Sequence, residues 1–249
     1  MLILLPPSET KRPGGSGAPL DPASLALPGL LPVRDIVMDA LVALSGDEDT
    51  AARVLKLSKR QRSDIAANGA LRSAPTRPAV DRYTGVLFDA LDAGSLPAPA
   101  RRWLGAHVLI HSAPFGPVGA LDPIPAYRLA AGTSLPGVPP LRRLWSEAVT
   151  AALGAQQPSF VLDLRSEAYV ALGPVPGTVR SAYVRVVTEG PDGAARALNH
   201  FNKHAKGELL RALALTRPRV TSLGGFLRWA GENGWTARAG GAGEIDLVV

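Results

Sequence analysis

Short apolar runs set at irregular intervals are the strongest constraint on this chain. "LILL" (Leu2–Leu5), "HVLIHS" (His107–Ser112), "SFVLDLRS" (Ser159–Ser166) and "SAYVRVVTE" (Ser181–Glu189) are strand-length and strand-like in composition. The segments between them carry helical spacing instead. In "VRDIVMDALVAL" (Val33–Leu44), Ile36, Val37, Ala40, Leu41 and Leu44 fall on one face. "SGDEDTAARVLKL" opens with Ser45 and acidic residues, as a helix N-terminus should. A further helix is expected from Lys59 or Arg62 to Ala67, stopped by Asn68-Gly69. "RYTGVLFDALDA" reads as a strand end, Gly85, then a helix from Val86. "LRRLWSEAVTAAL" (Leu141–Leu153) is amphipathic and ends at Gly154. "NHFNKHAKGELLRALAL" reads as a helix interrupted by Gly207, and "SLGGFLRWAGENGW" as one starting at a serine cap. "WTARAGGAGEIDLVV" closes as a hairpin with glycines at its turn.

Irregular alternation of this kind predicts an α/β fold with a mixed sheet and surrounding helices, because the last strand pair is a hairpin while earlier strands are separated by helices. No long linker follows residue 30, so residues 1–249 are expected to form one domain. Within it, residues 11–32, including "KRPGGSGAPLDP", read as a flexible Gly/Pro-rich surface loop.

The composition excludes several chemistries. There is no cysteine, which removes disulfides, thiolate metal sites and a cysteine nucleophile. "MLILLPP" is too short for a signal peptide, and no run approaches the roughly 18 apolar residues of a membrane span. A cytoplasmic protein with no membrane partner is therefore expected. The formal charge of +6 and pI near 10 favour anionic partners. There is no GxGxxG after a strand, no GxxxxGK[ST], no HExxH and no GxSxG. No cofactor is expected.

Four histidines form two pairs spaced i,i+4. His107 and His111 fall on an expected strand, where residues four apart lie roughly 13 Å apart, too far to share a metal. His200 and His204 fall on an expected helix, where they could share one, although no third ligand can be named. Two basic clusters stand out. "RVLKLSKRQR" holds Lys56, Lys59 and Arg60 without an acidic neighbour. "NKHAKGELLR" holds Lys203, Lys206 and Arg211, with Lys203 and Lys206 on one helical face. Gly207 within the second cluster suggests a close backbone approach.

Ligands in open α/β sheets gather outside the carboxyl ends of strands. Ser8, Ser112 and Ser166 each follow an expected strand, with Glu167 next to the last, so the three form a shared rim if their strands are parallel neighbours. "SAPFGPVGALDPIPAYRLAAG" (Ser112–Gly132) is stiffened by proline and carries only two charges, Asp122 and Arg128. Two readings stay open. Either the loop holds Asp122, Tyr127 and Arg128 over the rim for an anion, or Asp122 and Arg128 pair internally and lock it. The first reading places Arg128 in the cleft that holds Lys203 and Lys206.

These segments together resemble the YaaA family of peroxide-stress proteins, almost end to end. "MLILLPPSET" resembles the family's first strand and turn, and "YTG" (Tyr83–Gly85) is in place. The long loop is similar to a motif of the form SGLYGxLxPxDxIxPYRLEMG through Ser112, Gly116, Asp122, Pro125, Tyr127, Arg128 and Gly132. "LRRLWSEAV" matches through Trp145. "VLDLRSEAYVAL" matches through Leu164, Ser166, Glu167 and Tyr169. "NKHAKGELLRAL" matches a KxARGxxxR segment through Lys203, Ala205, Lys206, Gly207 and Arg211. Glu9 stands where the family has Lys, though Lys11 follows; Ala130 or Ala131 replaces a Glu, and Lys206 replaces an Arg. The resemblance implies a positively charged cleft, a helix-hairpin-helix element near "DTAARVLKLSKRQRSDIAANG", nucleic-acid binding, and protection from peroxide by limiting free iron and DNA damage.

Two functions are therefore expected as alternatives. In the first, a basic cleft grips DNA phosphates with Lys56, Lys59 and Arg60 on one side and Lys203, Lys206 and Arg211 on the other, and Ser8, Ser112 and Arg128 add to the anion site. In the second, the same cleft is an enzyme site for a nucleotide, nucleobase or phosphorylated small molecule, with Ser166, Glu167, Asp122 and Tyr127 as candidate catalytic groups.

Overall fold

The computed structural model describes residues 1–189, 195–197 and 199–249, with side chains for 1–188 and 202–249. In chain order the first elements are β1 (Leu2–Leu5), β2 (Gly17–Pro19), α1 (Leu31–Leu44), α2 (Glu48–Val54) and α3 (Ser63–Gly69). Next come β3 (Pro75–Pro78), α4 (Ala79–Arg82), α5 (Val86–Leu91), α6 (Ala98–His107), β4 (Val108–Ser112), β5 (Gly116–Gly119) and β6 (Pro123–Ile124). The chain continues through α7 (Leu141–Ala155), β7 (Val161–Asp163), α8 (Glu167–Val170), β8 (Ser181–Glu189), β9 (Ala195–Ala197) and α9 (Asn199–Thr216). It closes with α10 (Leu223–Glu232), β10 (Ala237–Ala239) and β11 (Glu244–Val248).

The fold is α/β with a mixed sheet, as the patterning predicts. The main sheet runs β10-β11-β8-β7-β1-β4-β5, with β9 also paired to β8. Strands β11, β8, β7, β1 and β4 are mutually parallel; β10, β5 and β9 pair antiparallel. The parallel strands are covered on both faces, so they read as unbroken apolar runs rather than alternating ones. Ile3, Leu4, Leu5, Val108, Ile110, Val161 and Leu162 are all buried. The N-terminal strand sits in the middle, with β4 on one side and β7 on the other. A crevice opens where the chain direction of winding changes in this way, beyond the carboxyl ends. The terminal β10–β11 hairpin is antiparallel, as the sequence indicates.

Three local expectations differ from the structure. His107 ends α6 rather than lying on a strand, and its ring stacks on Trp103 with centroids 4.4 Å apart. Helix α9 runs through Gly207 without a break. There the missing side chain serves packing: a Cβ would stand 2.8 Å from the Ala90 Cβ and closer still to the Leu87 carbonyl oxygen, both on α5. The segment 11–32 is built into the fold. Its β2 pairs with β3, which pairs with β6 in a second sheet, and Arg82 donates to the carbonyls of Arg12 and Gly14.

The proline-rich loop is anchored by buried side chains along its length. The fully buried Arg34 guanidinium, on α1, donates to the carbonyls of Phe115 (2.9 Å) and Pro117 (3.3 Å). Arg82, also fully buried, donates to Ile124 at 3.0 and 3.1 Å. The Trp145 indole donates to Ala113 at 3.0 Å. Asp122 does not meet Arg128. Its carboxylate accepts from the amides of Ala26 and Gly119, both at 2.7 Å, and so ties the loop to the segment before α1. Asn68, at the end of α3, brackets the backbone of Arg128, accepting from its N–H at 2.7 Å and donating to its carbonyl at 2.9 Å. The expected internal lock exists, but main-chain carbonyls held by buried arginines form it. Loop carbonyls buried without such donors would each cost about 1–3 kcal/mol.

Candidate functional site

The carboxyl ends of β1 and β7, with the start of β8 alongside, face one flank of α9 across a cleft of about 530 Å³. Pro6, Pro7 and Glu9 follow β1. Leu164, Ser166, Glu167 and Tyr169 follow β7. Tyr183 comes from β8, Leu87 from α5, and Asn202, Lys203 and Lys206 from α9. The parallel-neighbour condition on the three serines is met, since β7, β1 and β4 are adjacent. The serines nonetheless divide. Ser166 lines the cleft. Ser8 is near its mouth, where its hydroxyl meets that of Thr10 at 3.3 Å. Ser112 is fully buried and closes the β4–β5 turn, donating to the Gly116 carbonyl and accepting from the Phe115 amide, both at 3.0 Å.

Lys206 is the most unusual group in the cleft. Only 3% of it is exposed, its Nζ lies 5.5 Å from the centre of the Tyr183 ring, and it has no ion pair among the described residues. Burial pushes its pKa down to about 8, against the pull of Asp163. Lys203, one turn earlier, lines the same wall and is exposed. The Tyr183 hydroxyl is held above its ordinary value by burial and then by Asp163 and Glu167, so it stays protonated. Asn202 Oδ1 is shielded from solvent and has no hydrogen-bond partner among the described residues.

Beside the cleft lies a charged network that sequence reasoning missed. Arg165, fully buried, forms a two-pronged contact with Asp163 at 2.9 and 2.6 Å. It also donates to the carbonyl of Gly173 at 2.8 Å and to His111 Nδ1 at 3.0 Å. The His111 ring is therefore neutral with its proton on Nε2, which is buried without a partner among the described residues. Burial and then the adjacent guanidinium hold its pKa well below 6.5. The signal available in the sequence was "DLR" at a strand end, where an Asp and an Arg two residues apart share one side.

A second lysine departs from ordinary behaviour. Lys11 Nζ sits 4.0 Å from the centre of the Tyr127 ring and donates to the carbonyl of Ser8 at 2.9 Å. Burial pushes its pKa down to about 7; Glu9 opposes the shift and Arg128 adds to it. Tyr127 is buried, and its hydroxyl meets that of Tyr83 at 2.8 Å. Arg128 is not a cleft wall. It reaches Glu9, donating to its carbonyl at 3.1 Å and lying 3.6 Å from its carboxylate, and Glu9 in turn lines the cleft.

The other expected residues are dispersed. Arg211 donates to the carbonyls of Leu91 (2.9 Å) and Asp92 (3.0 Å) and to the Ser95 hydroxyl (2.9 Å), which commits it to the end of α5. Lys56, Lys59 and Arg60 are exposed on the turn between α2 and α3, outside the cleft lining. That turn passes through a left-handed residue at Lys56, with φ of 53°. His204 pairs with Glu208 at 3.2 Å; the His200 side chain lies outside the described residues. Among the described residues no group of three or more His, Asp or Glu side chains is placed to hold a metal. No described helix is long and apolar enough to cross a membrane.

The chain is similar to known proteins over most of its length. The family model described as "Peroxide stress protein YaaA" matches residues 1–233. A UPF0246 protein of Corynebacterium efficiens is 50% identical over 230 residues, 90% of this chain and 89% of the relative. UPF0246 proteins of Corynebacterium glutamicum and Streptomyces coelicolor are 46% and 44% identical over 220 residues, 87% of this chain and 86% and 84% of theirs. With a match of this extent, the chain belongs to the YaaA family of peroxide stress proteins.

Proposed function

We propose that this protein acts in the cytoplasmic response to peroxide by binding a nucleotide, nucleobase or phosphorylated small molecule in the strand-end cleft. The observation that carries the reading is the buried Lys206, which has no ion pair among the described residues and lines a concavity with Lys203. A phosphate would supply a counter-charge. Compact concavities with a few convergent polar groups suit small ligands, whereas a duplex needs a long open surface. Glu9, Glu167, Ser166 and Tyr183 at the same cleft are more varied than a phosphate grip requires, which favours an enzyme site. Thermal-shift titration with inorganic phosphate and a nucleotide panel tests this. Stabilisation that disappears in Lys206→Met is expected; no stabilisation by any of them would reject it.

A second reading keeps the DNA backbone as partner. It is favoured by the helix–turn–helix of α2 and α3, which presents Lys56, Lys59 and Arg60 to solvent around a left-handed turn. Contacts there would go to phosphates, binding would be steeply salt-dependent, and a coated duplex would be shielded from iron-dependent damage. Filter binding at several salt concentrations decides it. Absence of binding at low salt, or equal binding by a variant with all three cations replaced by Gln, would count against it.

A further inference from the structure

We propose that Lys206 is a carbonyl-capturing amine, whose Nζ forms an imine with an aldehyde or ketone borne by a phosphorylated substrate seated in the cleft. This rests on the reading of the cleft as a site for a phosphate-bearing ligand, and it adds the substrate's reactive group.

Four observations converge on it. Lys206 is almost fully buried yet has no ion pair among the described residues, so its ammonium form is held only by the pull of Asp163 and the face of Tyr183. Its Nζ lies against the Tyr183 ring at the wall of a cavity large enough for a phosphorylated metabolite. Lys203 precedes it by one turn on the same wall, and a neighbouring cation together with an apolar setting is the arrangement that frees a lysine amine for attack on carbonyls. In a carbonyl substrate the phosphate lies at the exposed Lys203 and the carbonyl reaches Lys206, whereas free phosphate, which has no carbonyl arm, settles between the two amines. Burial also lowers the proton affinity of Lys206, so an appreciable share is free amine at neutral pH. An arginine at this position could grip an anion but could not form an imine.

The step balances without any oxidant. The Nζ lone pair attacks the carbonyl carbon, a C–N bond forms as the carbonyl π pair moves to oxygen, and the oxygen takes one proton while nitrogen loses one, giving a neutral carbinolamine. The hydroxyl takes a second proton and leaves as water while the nitrogen lone pair forms the C=N bond, and the resulting iminium loses its remaining N–H proton to give the imine. Tyr183, which stays protonated, and Glu167, on the same cavity, are the groups placed to give and accept those protons.

The test uses pyridoxal 5′-phosphate as a phosphorylated aldehyde, with sodium borohydride to reduce any imine to a stable secondary amine, followed by peptide mapping. At pH 7, adduct on the Lys206 peptide should form on the order of tenfold faster than on exposed Lys56 and Lys59, because burial raises the free-amine share of Lys206 and the cleft holds the aldehyde beside it. Lys206→Arg should abolish that adduct while inorganic phosphate still binds in the thermal-shift assay. Labelling of Lys203, Lys56 or Lys59 in preference to Lys206 would overturn the proposal, as would an adduct pattern unchanged in Lys206→Arg. Phosphate binding without any imine refutes this inference alone; failure of phosphate to bind at all refutes the reading of the cleft as well.

Discussion

Replacing Gly207 by Ala sets two calculable effects against each other. In a free helix the change would stabilise by about 1 kcal/mol, because Ala is the better helix former. In this protein the new methyl would point into α5, 2.8 Å from the Ala90 Cβ and closer still to the Leu87 carbonyl oxygen. Carbon–carbon contact is normally about 3.5–4.0 Å, so the two helices must part by on the order of 1 Å. The nearest obstacle is backbone and cannot rotate away, which puts the cost at the upper end of overpacking, about 3 kcal/mol. The net loss is then about 2 kcal/mol, a fall in Tm of about 4–8 °C for a chain of this size. The displacement should also reach the cleft, because α5 contributes Leu87 and α9 contributes Lys203 and Lys206. Thermal unfolding followed by circular dichroism, with and without phosphate, reads both effects. A Tm equal to or above that of the unsubstituted protein would refute the packing argument and return Gly207 to a role in ligand approach.

Arg82→Met should destabilise by about 3 kcal/mol, since it strips the donor from the buried Ile124 carbonyl and from the part-buried carbonyls of Arg12 and Gly14; a urea midpoint within error of wild type would reject this. Arg128→Ala should leave stability nearly unchanged, because Asn68 holds the backbone there independently, but should weaken phosphate binding by leaving the Glu9 carboxylate uncompensated at the cleft. Large destabilisation with affinity intact would show Arg128 to be a structural lock. His111 stays neutral in the fold, so the unfolded chain takes up a proton there as pH falls below 6.5 and stability is lost in that window. His111→Gln should flatten that loss by up to about 1.4 kcal/mol per pH unit; parallel pH profiles of the two proteins would exclude the assignment.

What the sequence conveyed and what it hid follow from where each residue finds its partner. Strands β1, β4 and β7 were legible because burial on both faces forces continuous apolar runs. Their order was not, because "LILL" looks the same at a sheet's edge as at its centre. "HVLIHS" misled at His107 because α6 ends directly against β4, with no turn residue to mark the change. Gly207 announced a close approach, but the approaching element lies more than a hundred residues earlier in the chain. Arg34 and Arg82 gave no signal at all: on helices they pass for surface cations, and their acceptors are loop carbonyls that no side-chain pattern reports. Arg165 hid for a similar reason, since a buried ion pair two residues apart reads as an ordinary polar strand end.

The pairing of cations across the molecule leads to one more expectation. Arg34, Arg82 and Arg165 are each buried, and each guanidinium is met by carbonyls or a carboxylate of the protein itself. Lys206 is buried with nothing comparable among the described residues, and burial lowers its pKa to about 8. A phosphate beside it would stabilise the ammonium form and raise that value. Binding must therefore draw in a proton wherever the free protein has lost it. Below about pH 7 the lysine is already charged in both states, so it adds no pH dependence of its own. Above about pH 8 each further pH unit should weaken phosphate binding, up to tenfold for a single linked proton, until the bound form also deprotonates. Calorimetric titration of phosphate at pH 8.5 in buffers of different ionisation enthalpy measures the proton directly, since uptake appears as a buffer-dependent heat. Lys206→Arg should bind without that heat, because a guanidinium remains charged throughout. An affinity that is constant from pH 7 to 9.5, or an equal proton uptake in the arginine variant, would mean that the group closing on the phosphate is not Lys206.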